Sequence, residues 1–447
     1  MRVPEEQISS ASPSADVATA TLRKITLRLI PFLFLLYVVA WLDRVNVGFA
    51  GLQMNADLGF SSAAFGFGSG VFFLGYCLFE VPSNLVLHRV GARLWISRIM
   101  VSWGAISTAM MFVRTAPTFY VLRFLLGAAE AGFFPGMVYY LSHWYPEGQR
   151  ARAIAAFMTA VPVSGVIGGP LSGALLTLNG MFGLAGWQWL FLVEGIPAIL
   201  LGITVLVYLT DRPEAANWLS WAEKDWLVSR LAAERTSRDR ALPFGIVGAL
   251  TSPTIWHLGI IFVFTAIGFY GYSFWAPLVV KSLIGSSDLG VGVILGAISA
   301  ITIIAMILNG AHSDHTDERP LHVAVPLLIS GAGFFGCAVL RQPILAVFFL
   351  ALVPIGHCAA HGPFWSMPSR FLSGAPAAAG IALVVTIANV GGFVGPTIIG
   401  EMKDRFGTHG PAFMLLGGCA IVAALLAMAL GRVPVLRSAQ SSVVVEG

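Results

Sequence analysis

The chain has 447 residues, of which 57% are hydrophobic and 11% charged. Soluble domains carry about 25% charged residues, so the composition excludes an ordinary soluble fold and points to a polytopic membrane protein. The net charge of +4 does not argue for nucleic acid as a partner; the lipid bilayer is the partner implied.

Residues 1–20 are polar, with proline, serine and two glutamates. They lack the apolar core and cleavage site of a signal peptide and read as a disordered cytoplasmic tail. Twelve apolar segments follow, at about 25–50, 61–87, 94–113, 117–142, 152–177, 187–209, 254–282, 289–310, 321–340, 343–366, 376–400 and 411–431. Each approaches the roughly 20 residues a membrane helix needs. The widest polar gap separates the sixth from the seventh. The organisation is therefore a first six-helix bundle over 21–209, a cytoplasmic linker over 210–253, a second bundle over 254–432 and a cytoplasmic tail over 433–447. Within the linker, Trp218, Leu219, Trp221, Trp226, Leu227 and Leu231 alternate with charges as in an amphipathic surface helix. Lysine and arginine concentrate in the segments on the N-terminal side of the membrane, which places both termini in the cytoplasm.

The first span carries Asp43, Arg44 and Asn46 inside an apolar run. Ionisable residues in a span are expensive and usually face a cavity or a partner. Neighbours on a helix point about 100° apart, so Asp43 and Arg44 each look to another helix or to a ligand. In the fourth span Arg123 and Glu130 share one face, two turns apart. Burial and a nearby arginine pull the proton affinity of Glu130 in opposite directions, as a proton-coupling site requires; a permanent ion pair holding helices together is the competing reading. Glu80 and Glu194 lie nearer the membrane faces and read as structural. The second half has fewer acids and more aromatics: Phe269, Tyr270, Tyr272 and Trp275, then His357, His361, Phe364 and Trp365, then Asn389. Polar groups among them suggest a cavity wall. His357 and His361 are four apart, but no third ligand lies nearby, so no metal site is expected. The four cysteines read as small buried hydrophobes. No catalytic triad or nucleotide-binding glycine loop is present, so the chain does not read as an enzyme.

The turns at 84–93 and 310–319 occupy equivalent places in the two halves. They resemble the loop motif Gly-x-x-x-Asp-Arg-x-Gly-Arg-Arg of the major facilitator superfamily, the first keeping Arg89, Gly91 and Arg93, the second Gly310, Asp314 and Arg319. The wider set is similar to the anion:cation symporters of that superfamily, a branch that includes bacterial permeases for tartrate, galactonate and phthalate. It comprises Leu42-Asp43-Arg44-Val45-Asn46, Tyr76 with Glu80 to Asn84, Arg123 to Gly127 with Glu130-Ala131-Gly132, Trp187 with Glu194 to Pro197, Gly362 to Trp365, and Asn389 to Pro396.

The resemblance implies an all-α membrane protein of twelve transmembrane helices in two pseudo-symmetric six-helix bundles, with a cavity lined by spans 1, 4, 7 and 10. It implies proton-coupled symport importing a small organic anion, such as a sugar acid, dicarboxylate or aromatic carboxylate, by alternating access. A proton-coupled exporter of organic anions or drugs is the alternative. Asp43 and Glu130 then couple protons. Arg44 binds the anion, with Asn46, Tyr76, Arg123, Tyr270, Tyr272, His357, His361, Trp365 and Asn389 in the substrate shell. The two turns form a conformational latch. The proton is the coupling ion and no other cofactor is expected. The carrier is expected to work as a monomer in a bacterial inner membrane.

Overall fold

In the computed structural model, residues 15–240, 251–368 and 374–430 are described. Residues 1–14, 431–447 and the 241–250 part of the linker, read as tails and linker, lie outside them. Fifteen α-helices are described: α1 (Ala15–Leu58), α2 (Ser62–Val90), α3 (Ala92–Ala109), α4 (Ala116–Glu130), α5 (Phe133–Ser142), α6 (Glu147–Met158), α7 (Ala160–Leu176) and α8 (Gly186–Tyr208). Then come α9 (Trp221–Arg240), α10 (Pro253–Ile284), α11 (Asp288–Thr316), α12 (Pro320–Val339), α13 (Pro343–Ser366), α14 (Gly374–Phe406) and α15 (Gly410–Leu430). Local chemistry sets several starts. Ser61, Thr115 and Ser287 accept backbone N–H groups as N-caps of α2, α4 and α11. Proline, whose fixed φ suits a first turn, opens α10, α12 and α13.

Eleven stretches among the described residues are long and apolar enough to cross a membrane. The remaining expected crossing is α3. Arg93 and Arg98 lower its hydropathy, and its helix is 18 residues long. It nevertheless runs beside α8 through close glycine approaches, Met100 and Val101 against Gly202 at one end and Thr108 against Gly195 at the other. Crossings four and five, each expected as one helix, are α4–α5 and α6–α7. α1 begins at Ala15, inside the stretch read as a tail.

The packing scheme repeats between halves. The α2–α4, α1–α7 and α3–α8 contacts of the first half recur as α11–α13, α10–α14 and α12–α15 in the second. Between halves, α2 packs on α14 and α7 on α11, which are the same contact under exchange of halves, and α1 packs on α10. Backbones come together at Gly66–Pro396, Gly70–Phe393, Gly169–Gly292 and Gly48–Phe274. All four lie in the half of the bundle away from the termini.

The linker docks on the first half. Trp218 stacks on Trp144 at 5.2 Å beneath the Arg28 guanidinium, and Leu227 is buried. Lys24 pairs with Glu223 at 3.0 Å.

Candidate substrate and proton site

The site is built at a break in the fourth crossing. α4 stops at Glu130, and Gly132 takes φ +87° before α5 begins. A Cβ there would enter the left-handed region and collide with Ser83 Oγ. The Ser83 hydroxyl donates to the Ala131 carbonyl at 2.6 Å and accepts Trp95 Nε1 at 3.0 Å, fastening the break. Glu130 thus sits at the C-terminal, negative end of α4, where Arg44 Nη2 donates to its Oε1.

Arg44 is ringed by electron-rich groups. Its guanidinium lies 5.1 Å from the Trp41 ring, 5.4 Å from Tyr76 and 5.5 Å from Phe72. Tyr270 of α10 and Tyr37 also lie within its electrostatic reach. Its Nε is buried without a partner. Trp41 meets Phe269 at 6.1 Å and Phe73 meets Tyr270 at 4.4 Å, so this cluster straddles both halves.

Asp43 points elsewhere, as one helical step requires. Its Oδ2 accepts Trp103 Nε1 at 2.5 Å, and its Oδ1 accepts Asn46 Nδ2 at 3.2 Å and the Ser107 hydroxyl. Asn46 therefore faces the interior of the first half with Asp43. Arg123 is fully buried, but its Nε and Nη2 donate to the Gly68 and Ser69 carbonyls at 3.3 and 3.2 Å. It belongs to the α2–α4–α10 seam, 5.0 Å from Phe72 and 5.7 Å from Phe274.

The second-half residues divide. Tyr270 and Phe269 join Arg44. Tyr272, two residues on, points into its own half toward Cys358 and Cys337. His357 is also inside that half: its Nδ1 lies 2.6 Å from the Ser330 hydroxyl and 3.0 Å from the Val353 carbonyl. His361 reaches the boundary, 5.9 Å from Phe269 and 5.7 Å from Phe262, and Trp365 lies 4.9 Å from Phe262. Both histidines line one cavity of about 10 Å³. Asn389 is buried on α14 near Cys77. One helical turn away, Thr386 donates to Glu80 across the halves at 3.4 Å.

The expected latch is not a bridge between halves in this conformation. Arg93 pairs with Asp211 of its own half, at 3.7 Å from Nε and 2.8 Å from its backbone N–H. Gly91 is needed there, with φ +91°. Arg319 pairs with Asp314 at 2.7 Å and with Ser313 at 2.7 Å, within one turn. Arg89 is exposed, and open space surrounds Gly310. Besides the Thr386–Glu80 contact, a group of polar bridges between halves lies at the opposite face, a feature sequence reasoning missed. Asp404 of α14 accepts the Ser62 and Ala63 N–H groups at 3.0 and 2.8 Å, capping α2 from the other half. Gln53 donates to Asp288 of the other half at 2.8 Å, and Lys281 of that same half holds Asp288 at 2.9 Å.

A two-halved helical membrane protein with one partly accessible arginine at the seam, held by a buried acid, has the form of an alternating-access carrier. Residues 33–396 match the family model of the Major Facilitator Superfamily, and the chain belongs to that superfamily. It is a transporter rather than an enzyme. It is 48% identical, over 94% of its length and 96% of the relative's, to an Agrobacterium vitis protein described as "Putative tartrate transporter". It is 39% identical, over 88% and 90%, to the "Quinolone resistance transporter" of Acinetobacter baumannii. The structure of a bacterial homolog to the human lysosomal transporter Spinster matches with TM-score 0.72 at 18% identity, over 94% of this chain and 98% of that one, a likeness of fold.

Proposed function

We propose that the protein is a proton-coupled symporter that imports a small organic anion across a bacterial inner membrane, as a monomer with both termini cytoplasmic. The observation that carries this reading is Arg44: a partly accessible guanidinium at the seam, with one edge on Glu130 and its Nε unfilled. Arginine presents a planar fork matched to carboxylates. An anionic substrate competes with Glu130 for that fork. A proton on Glu130 weakens its hold, frees Arg44 for the substrate and removes a buried charge before the halves move. The proton also offsets the membrane potential, which opposes each entering negative charge by about 2.3 kcal/mol per 100 mV.

The relatives fit such a site. Tartrate is a dicarboxylate, and quinolone drugs carry a ring carboxylate that an aromatic wall of Tyr76, Phe269, Tyr270, His361 and Trp365 can stack against. With the termini cytoplasmic, the contacts at Asp404 and Gln53 support a carrier closed to the outside. The quinolone relative favours one second reading, outward transport through the same site.

Purified protein in vesicles, with tartrate as probe, tests the proposal. An acid-outside pH gradient should drive saturable accumulation that Arg44→Lys and Arg44→Ala both lose. Normal tartrate binding by Arg44→Ala would move the anion site elsewhere. Accumulation only under an acid-inside gradient would make the carrier an exporter. Cysteines at His312 and Gly180 should label from opposite sides; labelling from one side would overturn the topology.

A further inference from the structure

Inside the first half lies a second acid cluster, in which Glu194 has no part in the transport reading. Asp43 of α1, Asn46 one turn on, Ser172 of α7 and Glu194 of α8 meet away from the Arg44 seam. Glu194 is 4% exposed and Asn46 1%. Glu194 Oε1 accepts the Ser172 hydroxyl at 2.8 Å. Its Oε2 is buried without a partner, and so is Asn46 Oδ1. The Asn46 side chain lies within hydrogen-bonding reach of Glu194, and Asp43 is close enough to act on it electrostatically. The groups acting on Glu194 are thus Ser172, Asn46 and Asp43, and none is a cation. On the far side of Asp43 stand Trp103 and Ser107 of α3, with Glu130 and Arg123 of α4 at longer range.

An ionised Glu194 would be a buried carboxylate with no counter-charge beside a second acid, an arrangement strongly penalised. The two unpartnered atoms of this pair, Glu194 Oε2 and Asn46 Oδ1, are both acceptors, so joining them takes one hydrogen. A proton on Glu194 Oε2 supplies it. The acid then donates to Asn46 Oδ1, which fixes the amide so that Nδ2 donates to Asp43. Asp43 completes three accepted bonds, the pattern of an ionised carboxylate.

We propose that Glu194 is a permanently protonated acid and a positioning residue that orders Asp43 through Asn46. Its proton does not travel with the substrate; it sets the environment in which Asp43 titrates. The positioning half of this proposal rests on the reading of Asp43 as a proton site, whereas the protonation of Glu194 does not.

The test pairs infrared spectroscopy with transport in vesicles. At neutral pH the purified protein should show a carboxylic-acid C=O stretch that Glu194→Gln removes, with no loss of carboxylate absorption. Glutamine can accept from Ser172 and donate to Asn46. Glu194→Gln should therefore transport within about twofold of wild type with an unmoved pH profile. Glu194→Leu keeps the bulk but loses the donor. It should shift the pH profile of tartrate uptake by about one unit or more. Loss of a carboxylate band in Glu194→Gln would show an ionised Glu194 and overturn the proposal. A shifted pH profile in Glu194→Gln, or an unmoved one in folded Glu194→Leu, would overturn the positioning role. Asp43→Asn separates the two readings: if it still accumulates tartrate under a pH gradient, Asp43 is not a coupling site, while the infrared result stands unaffected. Should Glu194→Leu fail to fold, the infrared arm remains decisive for the proton.

Discussion

The two halves share one packing scheme and divide the chemistry. The first half buries Asp43, Glu80, Arg123, Glu130 and Glu194 and holds the partly accessible Arg44. The second presents Phe269 and Tyr270 at the seam, with His361 packed behind Phe269. Ionic groups in low dielectric need fixed partners, and the first half supplies them within itself: Glu130 for Arg44, Trp103 and Ser107 for Asp43, helix carbonyls for Arg123. An aromatic wall needs no such partners. It can slide against the first half, or re-pack around different substrates, without stranding a charge. Under the proposed function, substrate charge is read by the first half and substrate shape by the second.

The sharpest way to break this division is to remove the cation. Arg44→Ala should reduce uptake by about 100-fold or more, since truncating one member of a buried charge pair strands the other. The double variant Arg44→Ala, Glu130→Gln should regain thermal stability without regaining transport. If the double variant transports, charge is not read at Arg44. Next in size is the helix break. Gly132→Ala should lower stability by about 2 kcal/mol or more, from left-handed strain plus the Ser83 collision; a melting temperature within a degree or two of wild type would show that the break relaxes freely.

Second-half changes should be smaller and selective. His361→Ala and Tyr270→Phe should weaken transport by a few-fold, about 1 kcal/mol, and by different factors for tartrate and for an aromatic acid. Equal loss for both substrates would contradict a wall that reads shape. The smallest effect concerns the gate away from the termini. Asp404→Ala removes a helix cap worth about 1 kcal/mol and should shift the resting population toward opening on that face by about fivefold. Spin labels at Ala56, in the last turn of α1, and at Thr408, in the turn after α14, both exposed, should report longer separations; an unchanged distance distribution would assign the closure to packing alone.

Much of this was legible in the sequence, for identifiable reasons. Charges inside apolar runs are costly, so Asp43, Arg44 and Glu130 stand out wherever they point. Twelve apolar segments split by one wide gap announce the two halves. What could not be read was direction. Asp43 and Arg44 are adjacent yet face different helices, and the partners of Asp43 are Trp103 and Ser107, residues that look like ordinary span filling. Tyr270 and Tyr272 differ by two positions on a helix, enough to send one to the seam and the other into its own half. His357 and His361 share a stripe, yet His357 turns Nδ1 to Ser330 and Val353 within its own half while His361 lies against Phe262 and Phe269. The break at Gly132 carried one faint signal, Ala131-Gly132 directly after a buried acid. The loop motif drew attention to the turns at 84–93 and 310–319, whereas the bridges between halves include Asp404 on α2 and Gln53 on Asp288. Those depend on which face is closed, a property of conformation rather than of local sequence.

The central claim is that Glu130 trades its hold on Arg44 for a proton as the loaded carrier reorients. Glu130→Gln is the protonated acid made permanent. In vesicles it should bind tartrate and exchange it between the two faces at rates within about tenfold of wild type, yet fail to concentrate it when an acid-outside gradient is imposed. Accumulation by Glu130→Gln under that gradient would contradict the account and leave Glu130 a structural partner of Arg44.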